Sequence, residues 1–264
     1  MRIKVNFEIK NNIDDKELKV KYSRNIYNHQ IYSILINTLD GKKSKKIHDD
    51  KKMKRPFVFS DLFLNIEEKK GHFYICGESC IIEDFMKIKN KTLTLNNLKY
   101  KDKGEIGKLE DLIIRITEME KEDIYDKLKP SEEYIFKAKF IVNIPKDVGK
   151  SKKRPRLLED NEELKEKLRK ITIDKAIDKK VITKEESKTV RLKFDFIRNK
   201  KGSYKRMAFA KYKNGYVASW KAKLKVKGDF KLIKFIYERA GIGENTSSGH
   251  GFIFLDRGDK NARK

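Results

Sequence analysis

Two hydrophobic periods alternate along this chain in one order, and the order comes twice. Ile3, Val5, Phe7 and Ile9 alternate with polar residues, the period of a half-buried strand. A helix is expected over Ile26–Leu39, where Ile31, Ile34, Leu35 and Thr38 share a face. A Lys-rich loop is expected from Asp40 to Arg55. Pro56–Leu64 and Gly71–Cys76 read as a strand pair, Cys80–Ile88 as a helix and Thr92–Leu98 as a strand. That order, βαββαβ, is the split ferredoxin-like unit. Leu109–Thr117 adds a strand, and the charged segment Glu118–Pro130 is the expected boundary. The order then returns. Tyr134–Ile144 is a strand, Leu157–Ile177 a helix, and Val190–Ile197 with a hairpin around Asn214-Gly215 supplies further strands. A helix ending at Ala240 and a strand over Gly251–Leu255 complete the unit. The expected fold class is α+β, with two tandem ferredoxin-like (RRM-like) βαββαβ domains over 1–120 and 130–258.

The last helix and strand enclose the glycine-rich segment 241–251, with Gly241, Gly243, Gly249 and Gly251 around Thr246, Ser247 and Ser248. Asp229 is placed to cap the helix N-terminus and Gly241 to close its C-terminus in a left-handed conformation. Glycines leave backbone N–H groups free to turn toward an anion. A plain connector is the competing reading. The segment joins helix to strand, the reverse of a nucleotide-binding phosphate loop, and no Lys or Arg falls between Ala240 and Asp256. A backbone-lined phosphate cradle explains both features better.

Charge narrows the partner. The chain carries 65 Lys+Arg against 40 Asp+Glu, a net +25, which predicts a polyanion. No apolar run approaches a bilayer-spanning length, so no membrane partner is expected. No apolar signal region follows Met1, and a cytoplasmic protein is expected. Cys76 and Cys80 stand without further Cys or clustered His, a poor zinc signal, so they read as reduced core residues and no metal is expected. Lys221, Lys223, Lys225 and Lys227 alternate with Ala222, Leu224 and Val226, which puts the lysines on one strand face. An RNA backbone would relieve their mutual repulsion. A solvated edge strand explains the pattern equally well. Lys200, Lys201, Lys205 and Arg206 surround Tyr204 in a basic run suited to gripping a stem-loop, or to a solvated hairpin tip.

Only four histidines occur: His29, His48, His72 and His250. RNA cleavage by a neighbouring 2′-OH needs groups to move two protons and cations beside the phosphorane. An imidazole among lysines, as at His48, suits a proton task near neutrality. From the loop alone, a solvated histidine and a catalytic one both stay open. His72 reads as a strand-end residue.

The ends of the chain resemble the CRISPR-associated endoribonucleases that cut repeat RNA into guide RNAs. The likeness rests on the C-terminal helix followed by Ala240-Gly-Ile-Gly243, Ser248-Gly-His-Gly-Phe252 and an apolar strand, where His250 alters the family's closing G-F-G. Near the N-terminus it rests on Val20-Lys21-Tyr22, Ile31-Tyr32, His48, and Lys54-Arg55 before Phe57-Val58-Phe59-Ser60. The resemblance implies tandem ferredoxin-like domains, no cofactor and a catalytic set of His48, Tyr32 and Lys54. Arg55 is an alternative to Lys54. His29, in Tyr27-Asn28-His29, is an alternative to His48. It further implies RNA contacts from Gly241, Gly243, Ser247, Ser248, Gly249 and His250. The implied activity is metal-independent cleavage of CRISPR repeat RNA leaving 2′,3′-cyclic phosphate and 5′-OH ends. A non-catalytic repeat-RNA-binding protein on the same scaffold is the alternative. Repeat RNA, precursor and product, is the implied partner. A CRISPR effector complex and a homodimer stay open. A generic RNA-recognition domain lacks support, because no strand shows the K/R-G-F-x-F pattern with paired aromatics.

Overall fold

The computed structural model describes residues 1–12, 28–49, 56–95, 100–102, 105–107, 111–123, 128–140, 162–197, 205–212, 215–244 and 251–256. Within these, the side chains of His29, Lys46, His48 and Asp49, and those of 100–107 and 205–220, lie outside the description. The chain divides into a first unit made chiefly of Met1–Glu122 and a second that holds most of the residues from Asp123 on. Each is built on one main antiparallel sheet, as the double ferredoxin-like reading requires, and the first also holds a separate two-stranded pair.

The first unit runs β1 (Arg2–Ile9), α1 (Asn28–Thr38), α2 (Gly41–Asp49), β2 (Phe57–Phe59), β3 (Phe63–Asn65), β4 (Lys70–Gly77) and α3 (Ser79–Phe85). β5 (Thr92–Leu95), the short pair β6 (Tyr100–Asp102) and β7 (Glu105–Gly107), and β8 (Leu112–Lys121) follow. The sheet order is β2-β4-β1-β8-β5, with β3 also on β4. Ile3, Val5, Phe7 and Ile9 face a core built with Ile31 and Leu35 of α1 and with Ile81, Ile82 and Phe85 of α3. The expected single strand Pro56–Leu64 is interrupted. Phe59 faces Ile75 and Phe63 faces His72, so four steps on one strand oppose three on the other. This one-residue bulge is held by Ser60, whose N–H donates to Tyr74 O and whose Oγ accepts from Tyr74 N–H, both at 2.9 Å.

The expected loop after Asp40 is corrected over Gly41–Asp49, which form a helix. Asp40 starts it, its Oδ1 accepting from Lys43 N–H at 2.7 Å and its carbonyl from Ser44 N–H at 2.8 Å. Lysines favour a helix, and Ile47, buried at 3 %, docks it on the core. Cys76 is buried as expected, but Cys80 is exposed in the first turn of α3.

The second unit runs β9 (Tyr134–Phe140), α4 (Glu162–Asp178), β10 (Leu192–Ile197), β11 (Lys205–Tyr212), β12 (Gly215–Gly228), α5 (Phe230–Phe235) and β13 (Ile253–Leu255). The sheet order is β10-β12-β9-β13, with β11 on β12. Phe136, Ala138, Phe140, Phe194, Leu224 and Val226 pack one face against Leu164 and Leu168 of α4 and Leu232, Ile233 and Ile236 at α5. Asp229 precedes α5 but does not cap it with its side chain. Its carboxylate instead accepts from Arg191 N–H at 3.1 Å, while its carbonyl receives the first two helix bonds from Leu232 and Ile233.

Candidate nucleic-acid site

α5 widens into a π turn over Ile236–Ala240, and Gly241 N–H donates to Ile236 O at 2.9 Å. Gly241, Gly243 and Gly251 have φ of 58°, 76° and 87°, values at which an L side chain is strained. Gly241 therefore ends the helix with positive φ, as expected. Ile242 N–H donates to Gly251 O at 2.8 Å, and Gly251 N–H to Lys139 O on β9 at 2.6 Å. Beneath this segment lies Lys175 of α4, 9 % exposed. Its ammonium donates to Gly243 O at 2.8 Å and Ala240 O at 3.4 Å. The ammonium thus fixes two carbonyls of the segment, while the N–H groups of Gly241, Ile242 and Gly251 are bonded to backbone carbonyls of the protein. The sequence reading missed Lys175. Its only sequence signal is a lysine on the apolar side of α4, next to Ala176. Ser247, Ser248, Gly249 and His250 lie outside the described residues.

The face of the second sheet opposite the helices is lysine-rich beyond the four residues expected from β12. Register sets Lys221 opposite Lys139, Lys223 opposite Lys137 and Lys227 opposite Lys193. Like charges directly opposite one another repel, and two carboxylates offset part of that. Asp256 accepts from Lys137 at 3.0 Å and Lys223 at 2.6 Å. Burial raises its pKa, but the hydrogen bonds and charges of Lys223 and Lys137 outweigh burial and hold the carboxyl below its usual range. Glu133, lowered by hydrogen bonds from Lys227 and Lys225, spans that pair at 3.3 Å each. Lys221 has no acidic partner among the described residues. Lys223 and Lys225, expected as RNA contacts, are thus partly neutralised within the sheet. Lys205 and Arg206 fall on β11, and Lys200 and Lys201 lie outside the described residues.

In the first unit, Tyr32 lies on α1 with its ring stacked on Phe57 at 6.1 Å between centroids. His29 stands in the first turn of α1 and His48 in the last turn of α2, so the two consecutive helices carry both candidate histidines. α2 is tied to α3 by Lys43, whose Nζ meets Asp84 Oδ2 at 2.6 Å. That hydrogen bond raises the Lys43 pKa, and those from Lys43 and Lys87 lower the Asp84 pKa. Lys54 and Arg55 lie outside the described residues. His72 is mid-strand on β4, not at a strand end. Among the described residues no group of three or more His, Cys, Asp or Glu is placed to hold a metal ion, and no helix is long and apolar enough to cross a membrane.

Fold and site together define a protein of two ferredoxin-like units, the second carrying a glycine segment braced from below. Residues 140–255 match the family described as CRISPR associated protein Cas6, C-terminal, so the second unit, glycine segment included, is similar to that of Cas6 proteins. Solved structures share the fold over nearly the whole chain. A RAMP protein binding different RNA substrates is 17% identical, over 97% of this chain and 99% of its own, with a TM-score of 0.67. A CRISPR associated protein Cas6 is 20% identical, over 97% and 98%, at 0.66. The product of a Cas6-related gene from Pyrococcus furiosus is 16% identical, over 97% and 98%, also at 0.66. No curated protein matches the sequence.

Proposed function

We propose that this chain is an endoribonuclease that cuts CRISPR repeat RNA without a metal. Cas6-family proteins process CRISPR repeat RNA. The observation that carries the reading is that the Cas6 match extends over the braced glycine segment and its strand β13. In the reaction, the 2′-OH of the nucleotide before the cut loses its proton and its oxygen bonds to the adjacent phosphorus. The P–O5′ bond breaks, and the leaving oxygen gains a proton. One product ends in a 2′,3′-cyclic phosphate and the other in a 5′-OH. His48, from α2, moves a proton. Tyr32, from α1, hydrogen-bonds the attacking hydroxyl or the phosphate. Lys54 offsets charge on the phosphorane. His29 and Arg55 are the substitutes to test in these roles. The glycine segment and the lysines of β12 hold the RNA backbone.

The test is product analysis of the repeat RNA incubated in EDTA with wild type, His48→Ala and Tyr32→Phe. Loss of a general acid or base lowers the rate about 100- to 10,000-fold, so His48→Ala should bind the repeat yet hardly cut it. Undiminished cutting by His48→Ala removes it from the mechanism and turns attention to His29. Wild type that binds without cutting establishes the non-catalytic alternative.

A further inference from the structure

The face of the first sheet opposite its helices carries a ring cluster that the proposed reaction does not use. On β4, Lys70-Gly71-His72-Phe73-Tyr74 places His72 and Tyr74 on this face and Phe73 in the core. This is the layout of the strand that RNA-recognition domains use to stack bases, K/R-G-aromatic-x-aromatic, with histidine at the first ring position and phenylalanine in place of a small residue between the rings. The K/R-G-F-x-F pattern itself is absent, as read from the sequence, but an imidazole stands where its first phenylalanine would be and pairs edge-on with the Tyr74 ring. β4 also sits beside β1 in the middle of the sheet, as such a strand must.

The rings are ordered. Phe63 of β3 stacks on His72 at 4.9 Å and 13°. Tyr74 stands edge-on to His72 at 5.4 Å, and Arg2 lies 5.7 Å over the Tyr74 ring. Gly71 is required for this arrangement, since a Cβ there would meet Phe7 Cζ at 2.5 Å and Phe63 O at 2.6 Å. Beside the Phe63–His72 pair opens a cavity of about 420 Å³, with Asn6, Glu8, Asn65, Glu68 and Lys70 also on its wall; one oxygen of Glu8 accepts from Lys10 at 2.5 Å, which leaves its other oxygen for a base. That volume suits a small ligand the size of one nucleotide. The wall offers what a base needs: ring faces for stacking, amides and the two carboxylates of Glu8 and Glu68 for edge hydrogen bonds, and an ammonium for phosphate. Burial lowers the His72 pKa, and Lys4 lowers it further while Glu120 raises it. A neutral imidazole stacks on a base without a charge to desolvate.

We infer that the His72–Phe63 pair and its adjoining cavity bind an unpaired base of the RNA strand, one with an exocyclic amine for Glu8 to accept from. This rests on RNA being the partner, as in the proposed function, but not on any cleavage chemistry. The test uses repeat RNA with a 2′-deoxy residue at the cut site and 2-aminopurine placed in turn at each unpaired position. At one position the fluorescence should be quenched on binding wild type and restored in His72→Ala. Affinity should fall about 5- to 150-fold in His72→Ala and in Phe63→Ala, the range for one stacked base. His72→Tyr, which keeps a ring, should recover most of both signals. The salt dependence of affinity should stay that of wild type, because no phosphate contact is lost. Unchanged affinity and quenching in His72→Ala, while wild type still cuts unmodified repeat, overturns the inference and leaves the proposed function standing. Wild type that neither binds nor cuts the repeat overturns both.

Discussion

Replacing Lys175 by Met keeps the apolar stem and removes the ammonium under the glycine segment. The bonds of the wild-type group include a short charge-assisted one, 2.8 Å to Gly243 O, and a longer one, 3.4 Å to Ala240 O. The first is worth about 1.5–3 kcal/mol, and losing it leaves a carbonyl in a buried place. Against that stands the cost of keeping a cation 9 % exposed, which Met does not incur. The net expectation is a loss of about 2 kcal/mol. For a unit of this size that lowers Tm by roughly 4–8 °C. Urea unfolding of the second unit should show a lower midpoint with unchanged slope. Amide exchange should quicken at Ile242 and Gly251, whose N–H groups are bonded within the braced frame, and RNA affinity should fall. If Lys175→Met unfolds at the wild-type midpoint and both amides exchange at wild-type rates, the brace is not what holds the segment.

Two further outcomes follow from the second sheet. Gly228→Ala should cost about 1–3 kcal/mol in urea unfolding, because φ there is 152° and the new Cβ would lie 2.3 Å from Arg191 O. Asp256→Asn should narrow its deficit against wild type in acid. The folded-state pKa of Asp256 is depressed, so its stabilisation is complete above the ordinary carboxylate pKa of about 3.9 and vanishes as pH falls through the lower folded value. Thermal melts at neutral pH and below pH about 4 measure the change.

The alternating strands and the βαββαβ order were legible because burial on one sheet face writes a period of two, as at Ile3 to Ile9. The helix α2 was not. Its sole buried side chain among the described ones is Ile47, too little for a helical period to register in a Lys-rich run. The bulge at Ser60 was hidden because an extra residue changes register, not composition. Asp229 looked like a cap from its position alone, but a carboxylate beside Arg191 has a cationic competitor that the local sequence does not reveal. The glycine segment was readable in outline, since positive φ selects glycine. Its brace was not, because Lys175 lies 68 residues from Gly243 in the chain.

The pairing of Ile242 with Gly251, and of Gly251 with Lys139, makes a closed neck at the foot of the glycine segment. The ends of the segment are fastened by these backbone bonds together with the Lys175 ammonium on Gly243 O. Lengthening a loop whose ends are already fixed costs little, since closure entropy grows only with the logarithm of its length. A change of chain length between Glu244 and Gly251 should therefore leave the helix, the strand and their core as they are.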